Sequence, residues 1–216
     1  MQHTFDRKTA ARIAARNHPE NIRLRLTLRF ALPYFALFVA ALLLCRTVPV
    51  TDLPAIRSIL ERTMSSPLTG CQTARECIRA ILWSARYEGL LLALLLIGGM
   101  TLFCESVCGA VLALHGAVCG FWCYGSVKLT AARHISGENL NFFICFFAMW
   151  AISSLLLVCA TEAVIFSYRY RDIGHVMRRE RDALSVRYML SALTYLGTLT
   201  VTVAIRAVLM LLIQSI

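Results

Sequence analysis

The chain has 216 residues, 58% of them hydrophobic and 16% charged, with a mean hydropathy of +0.66 and a formal net charge of +10. Soluble domains carry about 25% charged residues, so these values exclude an ordinary water-soluble fold and suit one compact membrane domain. The arginines cluster in short segments beside apolar runs, not in a basic stripe with interleaved aromatics, which points to membrane lipids and orientation and against nucleic acid.

Residues 1–28 form a basic N-terminal segment, followed by a single membrane domain over 29–216. The first apolar run, Phe30 to Cys45, is short at 16 residues, but Arg29 and Arg46 have stems long enough to place their charges in the headgroup layers. A lipoprotein signal would need a small residue before Cys45; Leu44 is not small and Arg46 follows directly, so the run reads as a crossing over about 29–49.

The next apolar stretch, Gly89 to Val127, is 39 residues long with one charged side chain, Glu105. At about 1.5 Å rise per residue and about 30 Å of hydrocarbon, a crossing takes roughly 20 residues, so the stretch predicts two helices, about 84–104 and 106–127, turning tightly near Glu105. Two further runs predict crossings at about 140–167 and 188–214, the last interrupted by Arg206. Only helices satisfy the backbone of such a domain in lipid, so the expected fold is all-α and polytopic, with about five spans.

Charge orients these spans. Residues 1–29 hold seven Lys or Arg and residues 169–187 hold six, while the 128–139 loop holds two. With five crossings both dense segments fall on the cytoplasmic side, as the positive-inside rule asks, which places the N-terminus inside a cell membrane and the C-terminus outside. A single crossing over 89–127 would put them on opposite sides.

The expected extracytoplasmic loop, 50–83, is the only sizeable segment outside the membrane. Leu53, Ile56, Ile59 and Leu60 recur at helical spacing after Thr51-Asp52, which predicts a short amphipathic helix on the outer surface. Its length excludes a catalytic domain but suits a partner-docking surface, with Leu53, Ile56 and Leu60 as the contact residues. Cys71 and Cys77 lie in the same loop, at a spacing that allows a disulfide.

The other seven cysteines fall within or beside spans, where cysteine acts as a small polarizable apolar residue. Cys104, Cys108, His115, Cys119 and Cys123 are spaced near one helix face, but four residues of helix climb about 6 Å, so they cannot converge on one ion and no metal or cofactor site is expected. The same helix carries Gly109, Gly116 and Gly120, which read as a small-residue packing face; Gly116 and Gly120 form a GxxxG pair that admits a close neighbouring helix.

Ionisable groups inside spans are costly, at about 2.5–3.5 kcal/mol each near the bilayer centre, and so are candidate functional groups. Four stand out. Glu105 falls at the cytoplasmic turn, His115 near mid-depth, Glu162 near the cytoplasmic end of the fourth span with Arg169 seven residues away, and Arg206 near the outer face. Enzymatic motifs are missing: there is no GxSG serine, no HExxH and no P-loop, and Asp6, Asp52, Asp172 and Asp182 all fall outside the spans. The expectation is a protein that is not an enzyme. A transporter or permease-like subunit is the alternative reading, from the hairpin at Glu105 and from Thr198, Thr200 and Thr202 near Arg206.

The stretch Gly98-Gly99-Met100-Thr101-Leu102-Phe103, followed by an aliphatic segment and then Gly116-Ala117-Val118-Cys119-Gly120-Phe121, resembles the core of the stage II sporulation protein M family. That family carries a leucine-threonine-x-phenylalanine-glycine turn before a helix with a glycine-x-x-x-glycine-phenylalanine pattern; here Cys104 stands at the turn's glycine. The resemblance implies a non-enzymatic membrane scaffold that localises cell-wall hydrolases during sporulation, with the outer loop and the Gly116/Gly120 face as partner surfaces.

Overall fold

The computed structural model describes residues 19–47, 54–133, 136–172 and 178–214. They form seven helices: α1 (Pro19–Thr47), α2 (Pro54–Met64), α3 (Ala74–Ser84), α4 (Arg86–Gly98), α5 (Cys104–Arg133), α6 (Ser136–Asp172) and α7 (Arg178–Gln214). Among the described residues there is no strand. Four helices (α1, α5, α6, α7) are long and apolar enough to cross a membrane, and α3 with α4, bent by 54° where they join, passes the same test only as a pair, as a broken span or a re-entrant loop, so the described residues hold four or five spans.

The helix ends depart from the expected spans in two informative ways. First, α1, α6 and α7 begin or end several residues beyond the apolar runs, because a helix that has left the hydrocarbon keeps its hydrogen bonds through the headgroup layer at no extra cost. Second, the hairpin turns at Gly99–Phe103, ahead of Glu105. Consecutive glycines at 98 and 99 end α4, the Thr101 hydroxyl donates to the Gly98 carbonyl at 2.8 Å, and Glu105 falls in the first turn of α5, where the helix dipole favours an acid.

The expected outer loop is mostly helix. Arg57 and Glu61 pair at 3.0 Å along α2. Thr73 and Glu76 form a reciprocal capping box that starts α3, and Gly70, at φ 85°, supplies the left-handed residue of the α2–α3 turn.

Neighbours across the bundle fix the direction of each helix. Gly116 and Gly120 of α5 lie against Tyr34 and Phe38 of α1, in rising order on both, so these two helices run parallel; theirs is the most extensive pairing among the described helices. α6 runs against both, with Thr161 beside Thr27 and Ser153 beside Tyr34. α7 returns against α6, from the Tyr188–Phe166 stack at one end to Met210 against Cys145 at the other. One end of the bundle therefore gathers Arg23, Arg29, Glu105, Arg171 and Arg181, and the opposite end carries α2 and α3.

Leu91, Leu92, Leu95, Leu112, Leu156, Leu199 and Val203 fill the core, with Cys108, Cys159, Ala160, Ala163 and Ala207 where helices approach closely. The outward faces are apolar as well: Leu32, Leu43, Leu94, Ile97, Leu102, Phe147, Leu193 and Ile205 are all exposed. Such a surface suits lipid and not water.

Candidate functional site

The polar side chains of the spans line up along the seam where α1, α5 and α6 meet. At the arginine-rich end, Arg29 Nη1 lies 2.8 Å from Glu105 Oε2, and Glu105 also accepts from the Tyr168 hydroxyl. Arg23 Nη2 stands 3.0 Å from Glu162 Oε1. Glu162 thus pairs across the bundle with α1 and not with Arg169 of its own helix. Two turns along a straight helix separate Glu162 from Arg169, whereas α1 brings Arg23 alongside. One turn of α1 deeper, the hydroxyls of Thr27 and Thr161 are 3.1 Å apart.

At mid-depth the seam holds a buried cluster. His115 Nε2 lies 3.1 Å from the Ser153 hydroxyl, which also accepts from the Tyr34 hydroxyl at 3.0 Å and donates to the Met149 carbonyl at 2.8 Å. Cys119 Sγ is 3.5 Å from His115 Nε2, and the rings of Tyr34 and Tyr87 flank the imidazole at 6.0 and 6.1 Å. Three spans and α4 therefore meet around one imidazole. This arrangement holds helices together through charge-free hydrogen bonds in a medium that offers no competing water.

Toward the opposite end, Arg206 Nη2 donates to the Ser84 hydroxyl at 2.7 Å, next to the bend between α3 and α4. Glu88 lies on the first turn of α4, and its Oε2 is buried without a hydrogen-bond partner, as is Arg206 Nε. Glu88 does not stand out in the sequence, because it sits one residue ahead of the apolar run that begins at Gly89. The available signal was an acid within one crossing length of Phe103. Tyr34 and Ser153 do not stand out either, since a hydroxyl in an apolar helix looks the same in sequence whether it meets a partner or bonds its own backbone.

The glycines divide. A side chain on Gly116 or Gly120 would overlap the Tyr34 or Phe38 carbonyl, so both are turned inward on α1, whereas nothing lies within 4 Å of a Cβ added to Gly109. The sulfurs of Cys104 and Cys108 lie 3.9 Å apart, well below the His115–Cys119 pair, and among the described residues no group of three or more His, Cys, Asp or Glu gathers where it could hold a metal.

Outside the spans, Leu53 lies outside the described residues, and Leu60 is buried against Gly125 of α5, which makes it an anchor for α2 and not an outward contact. Ile56 is half-buried, and Ile59 takes the exposed position. Two polar contacts hold the same region: Trp122 Nε1 donates to the Thr63 hydroxyl at 3.0 Å, and the Ser66 hydroxyl donates to the Ala207 carbonyl at 2.8 Å. Cys71 and Cys77 are both free thiols flanking the start of α3; burial first, and then the neighbouring Cys77 thiol, pushes the Cys71 thiol up.

Helix lengths, the lipid-type outer surface and the internal pairing of polar groups define an all-helical polytopic integral membrane protein. No family model matches the chain, and neither the curated proteins nor the solved structures contain a match to it.

Proposed function

We propose that the protein is a non-enzymatic scaffold of the cell membrane, with its arginine-rich end and N-terminus in the cytoplasm and α2, α3 and the C-terminus outside. The observation that carries this reading is the docked α2–α3 segment. Leu60, Thr63 and Ser66 tie it to α5 and α7, so it forms a shaped surface and not a slack loop. Ile59 and Arg62 on α2 are exposed, as are Arg75, Glu76, Ile78 and Arg79 on α3, a mixed apolar and charged set that is basic on balance. Such a surface suits a protein partner with an acidic face. The resemblance to stage II sporulation protein M makes a cell-wall hydrolase the partner to test.

A transporter or permease-like subunit is the second reading, and the His115 cluster favours it, because buried ionisable groups at mid-depth mark transport paths in other bundles. Charge reversal at Arg62 and Arg79 in the full-length protein, with a fluorescent cell-wall hydrolase encoded beside it, separates the two. The scaffold reading expects the hydrolase to lose its position while membrane insertion is unchanged. If the hydrolase stays in place and His115→Ala abolishes cellular function instead, the transporter reading replaces it.

A further inference from the structure

A cavity of about 390 Å³ opens at the arginine-rich end of the bundle, between the α4–α5 turn, the end of α6 and the start of α7. Its size lies within the range of about 300–1,000 Å³ typical of small-molecule sites. Two arginines from different helices face it. Arg171 Nη2 donates to the carbonyls of Thr101 and Leu102, both at 2.8 Å, which fixes the guanidinium against the turn. Arg181 lies over the Tyr170 ring, 4.2 Å from its centroid, so its plane is also held. Among the described residues neither arginine forms an ion pair, and Glu105 of the neighbouring α5 turn is taken by Arg29 and Tyr168. Among the described residues the cavity thus carries two positioned positive charges that form no ion pair, together with the Ser167 hydroxyl.

The rim tells a soluble anion from a lipid. Met100 and Leu102 line the cavity yet are 61% and 77% exposed, and they continue into the exposed Ile97 and Leu94 of α4. A free phosphate would have no use for this track, whereas acyl chains would follow it along the span. Depth agrees, because the cavity lies where α4 ends and the apolar belt gives way to arginine, at the level of lipid headgroups.

The geometry points to a site for one anionic phospholipid, its phosphate between Arg171 and Arg181 and its chains along Met100, Leu102 and Ile97. A fixed guanidinium pair gives forked donors to a phosphate, which a zwitterionic lipid with its own ammonium partly neutralises. The site holds under either reading of the protein's function, since it concerns how the bundle sits in its leaflet.

The test uses the full chain in nanodiscs of phosphatidylcholine containing a minor share of phosphatidylglycerol, followed by native mass spectrometry of the lipids that stay bound in detergent. Wild type should retain one phosphatidylglycerol in preference to phosphatidylcholine. Arg181→Gln should weaken that retention about 5-fold, whereas Arg187→Gln, exposed at the same end but outside the cavity, should not. Arg171→Gln also unties the turn, so Arg181→Gln, which leaves those hydrogen bonds in place, decides the matter. Equal losses for Arg181→Gln and Arg187→Gln would mean diffuse attraction and overturn the site. Displacement of the bound lipid by inorganic phosphate, or retention unchanged in a Met100→Ser/Leu102→Ser variant, would overturn the lipid as its occupant.

Discussion

Gly116 of α5 and Tyr34 of α1 meet backbone to backbone, so closely that a single carbon added to Gly116 would overlap the Tyr34 carbonyl oxygen. Gly120 meets Phe38 in the same way one turn later, and the Ala41 methyl closes the contact from the side. Parallel spans gain here from dispersion between closely packed backbones, not from the hydrophobic effect, which lipid does not supply. Gly116→Leu and Gly120→Leu should therefore each lose most of the folded, monodisperse protein in size-exclusion chromatography. Gly109→Ala and Gly197→Ala, with nothing within 4 Å, should stay within about 1 kcal/mol of wild type in thermal unfolding.

Leu60 and Ile59 are adjacent on α2 but differ in role. Leu60 is 2% exposed and fits against Gly125, while Ile59 is 62% exposed. Leu60→Ala should cost about 2–5 kcal/mol of the docking of α2, read as faster proteolysis within residues 54–70. Ile59→Ala should leave the cleavage rate near wild type. If the two variants are cleaved alike, α2 is not held by this contact.

Ser153 links three spans, because its hydroxyl meets His115, Tyr34 and the Met149 carbonyl. Its neighbour Ser154 is exposed and bonds only the Trp150 carbonyl of its own helix. Ser153→Ala removes a shared partner from two buried groups and should destabilise the bundle by about 1–3 kcal/mol in detergent unfolding. Ser154→Ala should change it by less than about 0.5 kcal/mol.

Cys71 is half-exposed in the α2–α3 turn, whereas Cys104, Cys108 and Cys159 are buried in the bundle. A membrane-impermeant maleimide applied to intact cells should label Cys71 and leave those three untouched. Because burial and the Cys77 thiol raise the Cys71 pKa, the thiolate is scarce at neutral pH, and labelling should quicken as pH rises. Cys77→Ser removes one of the raising influences and should speed labelling at a fixed neutral pH. Labelling of Cys71 only after permeabilisation would reverse the proposed orientation.

Membership of the all-helical, multi-pass membrane class was legible in the residues alone, and the expected count of about five agrees with the four or five apolar helices found. Apolar runs of crossing length and segregated arginines depend on one-dimensional quantities, the thickness of the bilayer and the cost of moving charge through it. The hairpin before Glu105 was legible to within a few residues for the same reason, since 39 apolar residues exceed one crossing.

Pairing across the bundle was decided only in three dimensions. Nothing in the spacing of Glu162 and Arg169 tells that Glu162 will meet Arg23, or that Leu60 will turn inward on Gly125 while Ile59 turns out. In lipid both faces of a helix are apolar, so the periodicity that marks the buried face of a soluble helix is faint, and rotation about each helix axis is set by neighbours. Tyr34, Ser153 and Glu88 gained their positions from that rotation, and Arg171 and Arg181, 10 residues apart on two helices, became one site only when α7 folded back along α6.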